Sequence, residues 1–471
     1  MARYKNAALL FSNLVVSRFS GFTRTLLIAR FLTPELASIG FLAISIGRGS
    51  MAFLETGTRQ VVVTRDKCDE DLLASAWWVE FIKGSLIAII LMIAAGINSL
   101  WFSGELSGVL FVSAIIPLSM GVISPFVYRW ERDQKFGRIV AHTILGTVVG
   151  LFLMAYLLWA EQGWIAMPIG IAFGIIVRAV LGHVAAARLL ISPFSGQKIL
   201  ALIRDGYPYM GIAFATYLST LGIDLVLALC GAINWVAPYR VGISLVQVVV
   251  GSIAGVVGQA SLAADASKNR IKNHVEGIAT DFAAISLVIV SVAGSVPLCI
   301  YAMPEIALII FGAAWEPTRA IIPTLTIIVG LRSLSNPMAM VLLAAGASRI
   351  ESMIKIVEAV VTVLLIGILA RSDIVVALQS AAVVAGIGLT ARLIATGKLN
   401  AYNYQAINIM YLSSIAIMAV AVMLGSNVLE LLDGDLVTDV LISGIVAGAF
   451  GAGFTCWVFM SIKKSSLIKR G

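Results

Sequence analysis

Five arginines lie within stretches apolar enough to be membrane helices, and what they could do there is the first question this sequence raises. Arg18 and Arg24 fall in SRFSGFTRTLLIAR (17–30), Arg48 and Arg59 in the segment that follows, and Arg240 much further along. A charged side chain at mid-bilayer costs about 2.5 to 3.5 kcal/mol on insertion scales, so it normally faces a cavity or a partner. Arg48, Glu55 and Arg59 stand at i, i+7 and i+11, within about 20° of one line on a continuous helix. Arg18 and Arg24, six positions apart, are separated by about 120° and can flank one cavity from a single wall. Arg240, Ser244, Gln247, Gly251 and Gly258 share one face of a later helix. Gly47 and Gly49 leave room beside Arg48 for a second backbone or a bulky ligand.

Two arrangements answer to this pattern. In one, Glu55 pairs with Arg59, or Asp224 with Arg24, and the charges hold helices together. In the other, the surplus of arginine over these two carboxylates marks a wet cavity that receives an anion, and the guanidinium fork suits phosphate oxygens taken two at a time. The second accounts better for the whole set. The candidate substrate-binding residues are therefore Arg18, Arg24, Arg48, Arg59, Arg240 and Gln247. Glu55 and Asp224 are candidates for coupling, since a carboxylate facing a wet cavity can exchange its arginine for an ion. Arg178, Glu358, Arg319 and Arg332 are weaker candidates. Glu80 with Lys83, and Glu351 with Lys355, read as helix-spaced pairs in solvated positions near the cytoplasmic ends. Four scattered cysteines and three scattered histidines offer neither a metal site nor a disulfide framework, and no catalytic group is assigned.

The elements that must position these residues follow from composition. Of 471 residues, 60% are hydrophobic and 12% charged, and the mean hydropathy is +0.99, which excludes a set of soluble domains. Apolar runs of about 20 residues recur from end to end, each long enough to cross a bilayer, and about fourteen spans are expected. The first lies near 5–31, a retained span and not a cleaved signal peptide. The second lies near 36–61, the seventh and eighth near 206–230 and 235–262, and the last two near 405–425 and 437–462. Lysine and arginine gather in alternate connections and in the tail, for example Arg129, Arg132, Lys135 and Arg138, then Lys268, Arg270 and Lys272, then Lys463 and Lys464. The opposite connections hold Glu105, Glu161, Glu305 and the acidic segment from Glu430 to Asp439. This asymmetry places both termini in the cytoplasm and explains the net charge of +8 without nucleic acid.

A faint internal repeat at an offset of 199 residues lays Ile44 and Ser45 on Ile243 and Ser244, Gln60 on Gln259 and Asp66 on Asp265. It implies an all-α polytopic membrane protein of two six-helix bundles related by a pseudo-two-fold axis, with two C-terminal helices appended. The expected lobes are residues 1–200 and 201–400, and residues 401–471 carry the last two helices and a basic cytoplasmic tail.

SRFSGFTRTLLIARFLTPELASIGFLAI, followed by FLETGTRQVVVTRD, resembles the opening of the polysaccharide-transporter and Wzx-type oligosaccharide flippases. These belong to the multidrug/oligosaccharidyl-lipid/polysaccharide (MOP) superfamily, with the lipid II flippase and the MATE drug exporters. VYRWERDQKFGRIV, IIFGAAWEPTRAIIPTLTIIVGLRSLSNPM and LLAAGASRIESMIK extend the resemblance over most of the first 360 residues. It implies a MATE-like bundle whose first, second, seventh and eighth spans line a central cationic cavity. It also implies alternating access for an undecaprenyl-diphosphate-linked oligosaccharide, carried from the cytoplasmic to the outer leaflet of a bacterial inner membrane. The pathway would be the synthesis of a cell-surface polysaccharide such as lipopolysaccharide or exopolysaccharide, with polymerase and chain-length proteins as partners. Arg18 and Arg24 match the arginines of the SRxxGFxR pattern that lipid II flippases use on the substrate diphosphate, whereas Arg48 is not in register with their second-span arginine when Glu55 is the anchor.

Two other functions compete. A multidrug or cation antiporter of the same fold would need acidic residues to dominate its cavity. A membrane glycosyltransferase or polymerase would need acid, base or metal ligands in a sizeable outward loop. The expectation is therefore a transporter without enzymatic activity or resident cofactor, its turnover driven by a proton or sodium gradient or by the membrane potential. The topology is directly testable. Reporters fused after Lys135, Lys198, Lys272 and Lys464 should all read cytoplasmic and those between Glu430 and Asp439 external; an external signal at Lys272 would break the fourteen-span arrangement.

Overall fold

The computed structural model describes residues 19–64, 69–101, 105–133, 135–185, 195–206, 210–248, 304–344 and 347–398. These form two compact units, one within Met1–Arg240 together with Ala359–Ser372, the other within Val241–Glu358 and Asp373–Gly471. Among the described residues every regular element is helical. Arg18, the connection around Lys272, Gly251, Gly258 and both C-terminal spans lie outside them.

The first unit opens with α1, residues 19–31, and α2, Pro34–Phe53. The start of α2 is written locally: Thr33 caps it by accepting from the Leu36 amide, Pro34 enters the first turn and Glu35 meets the positive end of the helix dipole. The helix does not run on to 61. It ends at Phe53, and the chain turns through Leu54 to Gly57 before α3, Thr58–Thr64, begins. Gly57 has φ +63°, and a Cβ there would stand 2.5 Å from the Gly206 carbonyl oxygen, so the break depends on glycine twice over. Arg48, Glu55 and Arg59 consequently do not form one continuous stripe.

Next comes α4, Glu70–Trp101, capped by Asp69, whose Oδ1 accepts from the Leu72 amide at 2.8 Å. At 32 residues it is about 48 Å long, more than enough for a hydrocarbon layer of about 30 Å. It buries Leu73, Ala76, Val79, Ile87 and Ala88 inward and shows Ile82, Leu86, Ile89, Ile93 and Ile97 outward, the face expected to meet lipid. The helices α5 (Glu105–Ser113) and α6 (Ile115–Gly121) lead to α7 (Phe126–Arg132) through a 54° bend. One end of the unit is closed by an apolar cluster of Val61, Leu73, Phe126 and Trp130, against which the amphipathic α10, Gly196–Gly206, sets Ile199 and Leu202.

The tightest pair is α8, Phe136–Trp159, against α9, Ala166–Ala185. Gly146 and Gly150 on α8 face Gly170 and Gly174 on α9, so the two backbones approach closely, as small residues four apart permit in membrane helices. The same device recurs where Gly84 meets Gly121. The unit continues with α11 (Met210–Tyr217), a π-turn over Leu218–Gly222, α12 (Ile223–Leu229) and helical residues 236–248, here α13, which crosses the unit boundary.

The described part of the second unit contains α14 (Ile306–Phe311), α15 (Glu316–Ala344), the beginning of α16 (Ser348–Leu369) and α17 (Ile374–Lys398), with α15 packed along α17. Five described helices are long and apolar enough to cross a membrane, and six if the bent α5 to α7 region counts as one. The chain is a multi-pass membrane protein.

The α8/α9 contact predicts its own failure. In Gly150→Val the added atoms would meet the Gly170 carbonyl oxygen at 2.7 Å and the Gly174 Cα at 3.0 Å. Overpacking of this kind costs about 1 to 3 kcal/mol, and should appear as reduced protein in isolated membranes, whereas Gly96→Val on open helix surface should express normally.

Candidate functional site: a cationic cavity

A cavity of about 310 Å³ opens inside the first unit between α1, α2, α8 and α9. Arg24 on α1, Arg48 on α2 and Arg178 on α9 line it, with Ser20, Thr143 and Thr147 as further polar groups. Its glycine wall is the α8/α9 seam itself, Gly146, Gly150, Gly170 and Gly174. No carboxylate lines the cavity, and none of the three arginines has a hydrogen-bonded or ion-paired side-chain partner among the described residues. Arg48 lies within electrostatic range of Arg24, Arg178 and Arg240, so the empty cavity holds mutually repelling cations. The stem of Arg178 rests on Gly146, its backbone carbonyl accepts from His142 Nε2, and its Nε is buried without a partner.

Arg48 also lines a second cavity of about 480 Å³, with Ala52, Arg59, Gln60, Ala213, Thr216, Tyr217, Thr220 and Leu221. The glycines beside Arg48 serve packing. Tyr217 occupies the space next to Gly49, and Gly47 lies against the Ser113 carbonyl and Ile116.

The remaining candidates have their own partners. Arg59 is exposed and forks onto Glu131, with Nε 2.9 Å and Nη2 2.5 Å from the two carboxylate oxygens. Glu55 therefore does not pair with Arg59; it accepts from the Gly57 amide at 3.1 Å and stands 4.0 Å from Lys83. Asp224 is fully buried and pairs not with Arg24 but with Arg240, whose Nε lies 2.9 and 2.7 Å from its oxygens. Ser45 donates to the same carboxylate, and Arg240 Nη2 donates to the Thr220 carbonyl at 2.9 Å, in the π-turn. Gln247 is half-buried on α13 and belongs to the second unit.

Two groups differ from their sequence reading. Glu80 and Lys83 are paired at 2.6 Å as their spacing suggests, but they are buried, because α4 carries them into the packed side of the unit. Glu351 does pair, but with Arg392 on α17, which is 4% exposed, forks onto Glu351 at 3.0 Å and reaches Glu358 at 2.8 Å. The signal for Arg392 was an arginine one and a half turns inside the end of an apolar segment; for Arg178 it was a lone arginine in a glycine-rich span.

The helical fold has counterparts among solved transporter structures, two of them described as members of the MOP superfamily. The lipid II flippase MurJ in an inward closed conformation matches with TM-score 0.69 at 14% identity, over 98% of this chain and 99% of that one. An inward-facing MATE multidrug resistance transporter matches at 0.59, again at 14% identity, over 82% of this chain and 95% of that one. A MOP transporter from Pyrococcus furiosus, described as having a binding pocket of reversed polarity, matches at 0.53 and 14% identity, over 86% and 97%. The chain belongs to the polysaccharide biosynthesis protein family, whose model matches residues 27–320. No curated protein matches it significantly in sequence.

The pairing of Arg240 sets a prediction. Arg240→Ala leaves a fully buried carboxylate unpaired, a loss of about 3 to 5 kcal/mol, so membrane levels should fall. The double variant with Asp224→Asn removes the stranded charge and should recover much of the protein; a single variant at wild-type levels would show that the pair is not structural.

Proposed function

We propose that the protein is a flippase that carries a polyprenyl-diphosphate-linked oligosaccharide, with undecaprenyl as the lipid, from the cytoplasmic to the outer leaflet of the inner membrane. The observation that carries this reading is the 310 Å³ cavity with three arginines, no lining carboxylate and no ion pair among the described residues. Such a cavity attracts an anion and repels the cations that a drug antiporter of the same fold would carry. Membership in a polysaccharide biosynthesis family and a fold shared with a lipid II flippase support the same substrate class. The family and these neighbours point to transport, not to an enzyme.

The arginines replace the hydration that a diphosphate loses on leaving the membrane surface, and a donor fork already fixed in place does so with little reorganisation. Arg24 and Arg48 bind, and Arg18 is assigned with them from its place in the SRxxGFxR pattern. Asp224, neutralised by Arg240 and accepting a hydrogen bond from Ser45, holds α12 to α2 and α13, so Glu55 at the α2 break is the better candidate for coupling to a proton or sodium gradient. Both termini face the cytoplasm, and polymerase and chain-length proteins take the product.

Arg24→Ala should abolish export of the lipid-linked saccharide while leaving near-normal protein in the membrane, because no partner is stranded. Arg24→Lys keeps charge without the fork and should retain partial transport. Normal export by Arg24→Ala and by Arg48→Ala would sink the anionic-substrate reading.

A further inference from the structure

Resting on the flippase reading, we infer that the diphosphate is seated within the first unit, in the α1/α2/α8/α9 cavity, and that Arg178 with Thr143 and Thr147 completes its binding site. The cavity sits at the small end of the range for ligand pockets, roughly 300 to 1,000 Å³, so it admits a charged headgroup but not an oligosaccharide. Its chemistry is matched to phosphate in three ways. Three guanidiniums supply a formal charge of three, against the two negative charges of a diphosphate diester. Arg178 offers a buried Nε whose hydrogen bond is unmade, which an incoming oxygen would complete. The threonines lie four residues apart on one face of α8, so two hydroxyls line the same cavity as the arginines of α1, α2 and α9.

The glycine wall has a second use here. Because Gly146 carries no side chain, the stem of Arg178 lies flat across α8, and any larger residue would displace it. The seam that packs α8 on α9 therefore also aims the third arginine. Whatever is attached to the phosphates has to extend past Arg48, which lines both cavities, toward Gln60, Thr216, Tyr217 and Thr220 in the larger one. Selection in the smaller cavity thus rests on the number of phosphates and not on the identity of the sugar.

The test uses the full-length protein in nanodiscs, with inorganic pyrophosphate, farnesyl diphosphate and farnesyl monophosphate as probes in a titration calorimeter. The seat predicts binding of both diphosphates, weaker binding of the monophosphate, and an affinity that falls with salt. Pyrophosphate binding alone would mean a site for a free anion and would overturn the lipid-headgroup assignment. Arg178→Gln should weaken diphosphate binding about ten- to hundredfold, the range for losing a hydrogen bond to a charged group; Arg178→Lys should recover part of it. If Arg178→Gln fails to fold, phenylglyoxal labelling of the unaltered protein decides: pyrophosphate should protect Arg24, Arg48 and Arg178 but not the exposed Arg138. Undiminished labelling of Arg178, or unchanged affinity in Arg178→Gln, removes it from the site. If that happens while Arg24→Ala still blocks export, only this inference falls; if Arg24→Ala also exports normally, the flippase reading falls with it.

Discussion

The cavity of the first unit is built around three cations that have no ion-pair partner among the described residues. Arg24, Arg48 and Arg178 face one cavity with no carboxylate on its wall, and the charges of Arg24 and Arg178 act on Arg48. In a low-dielectric layer such a cluster persists only if water or an anion solvates it, so the cavity must be wet when empty. The surrounding helices meet that condition. The α8/α9 seam packs two backbones together on glycine, and the edge of that seam lines the cavity beside Ser20, Thr143 and Thr147.

The same residue type is used in a second way nearby, and the contrast fixes what each use requires. Arg240 pairs through Nε with Asp224, Arg59 forks onto Glu131, and Arg392 bridges Glu351 and Glu358. Each of these ties one helix to another, and the buried ones would be costly to break one partner at a time. Glu80 and Lys83 instead pair within one helix, where they neutralise each other in a buried position. A paired arginine holds helices together, whereas an unpaired one next to space attracts a ligand. What separates the two is whether a carboxylate on another helix can reach the guanidinium, which depends on packing.

That distinction explains how much the sequence could reveal. The helical, multi-pass character followed from hydropathy, because every crossing must satisfy its backbone internally. The surplus of arginine over carboxylate was visible by counting, and Arg24 and Arg48 do share a cavity. Partner choice was not visible. Asp224 takes Arg240, sixteen residues away on the next helices, and Arg59 takes Glu131 from a distant bend. The α2 break was hidden too, because the contact that demands a glycine at position 57 comes from Gly206, about 150 residues later. Arg178 and Arg392 stood alone in apolar spans, and periodicity carries no information on what faces them.

The unpaired cluster also bears on turnover. A transporter site must bind well enough to load and weakly enough to release, and a fully compensated site does not load an anion. Mutual repulsion among the three arginines raises the free energy of the empty cavity, and an anion with two charges relieves most of it while leaving one positive charge over. On the proposed reading, binding would draw on relief of repulsion as well as on new hydrogen bonds, and a change that moves Arg48 relative to Arg24 or Arg178 would weaken both contributions together. Arg48 is placed for this, since α2 ends one and a half turns beyond it at the Gly57 break, and the residue lines both cavities.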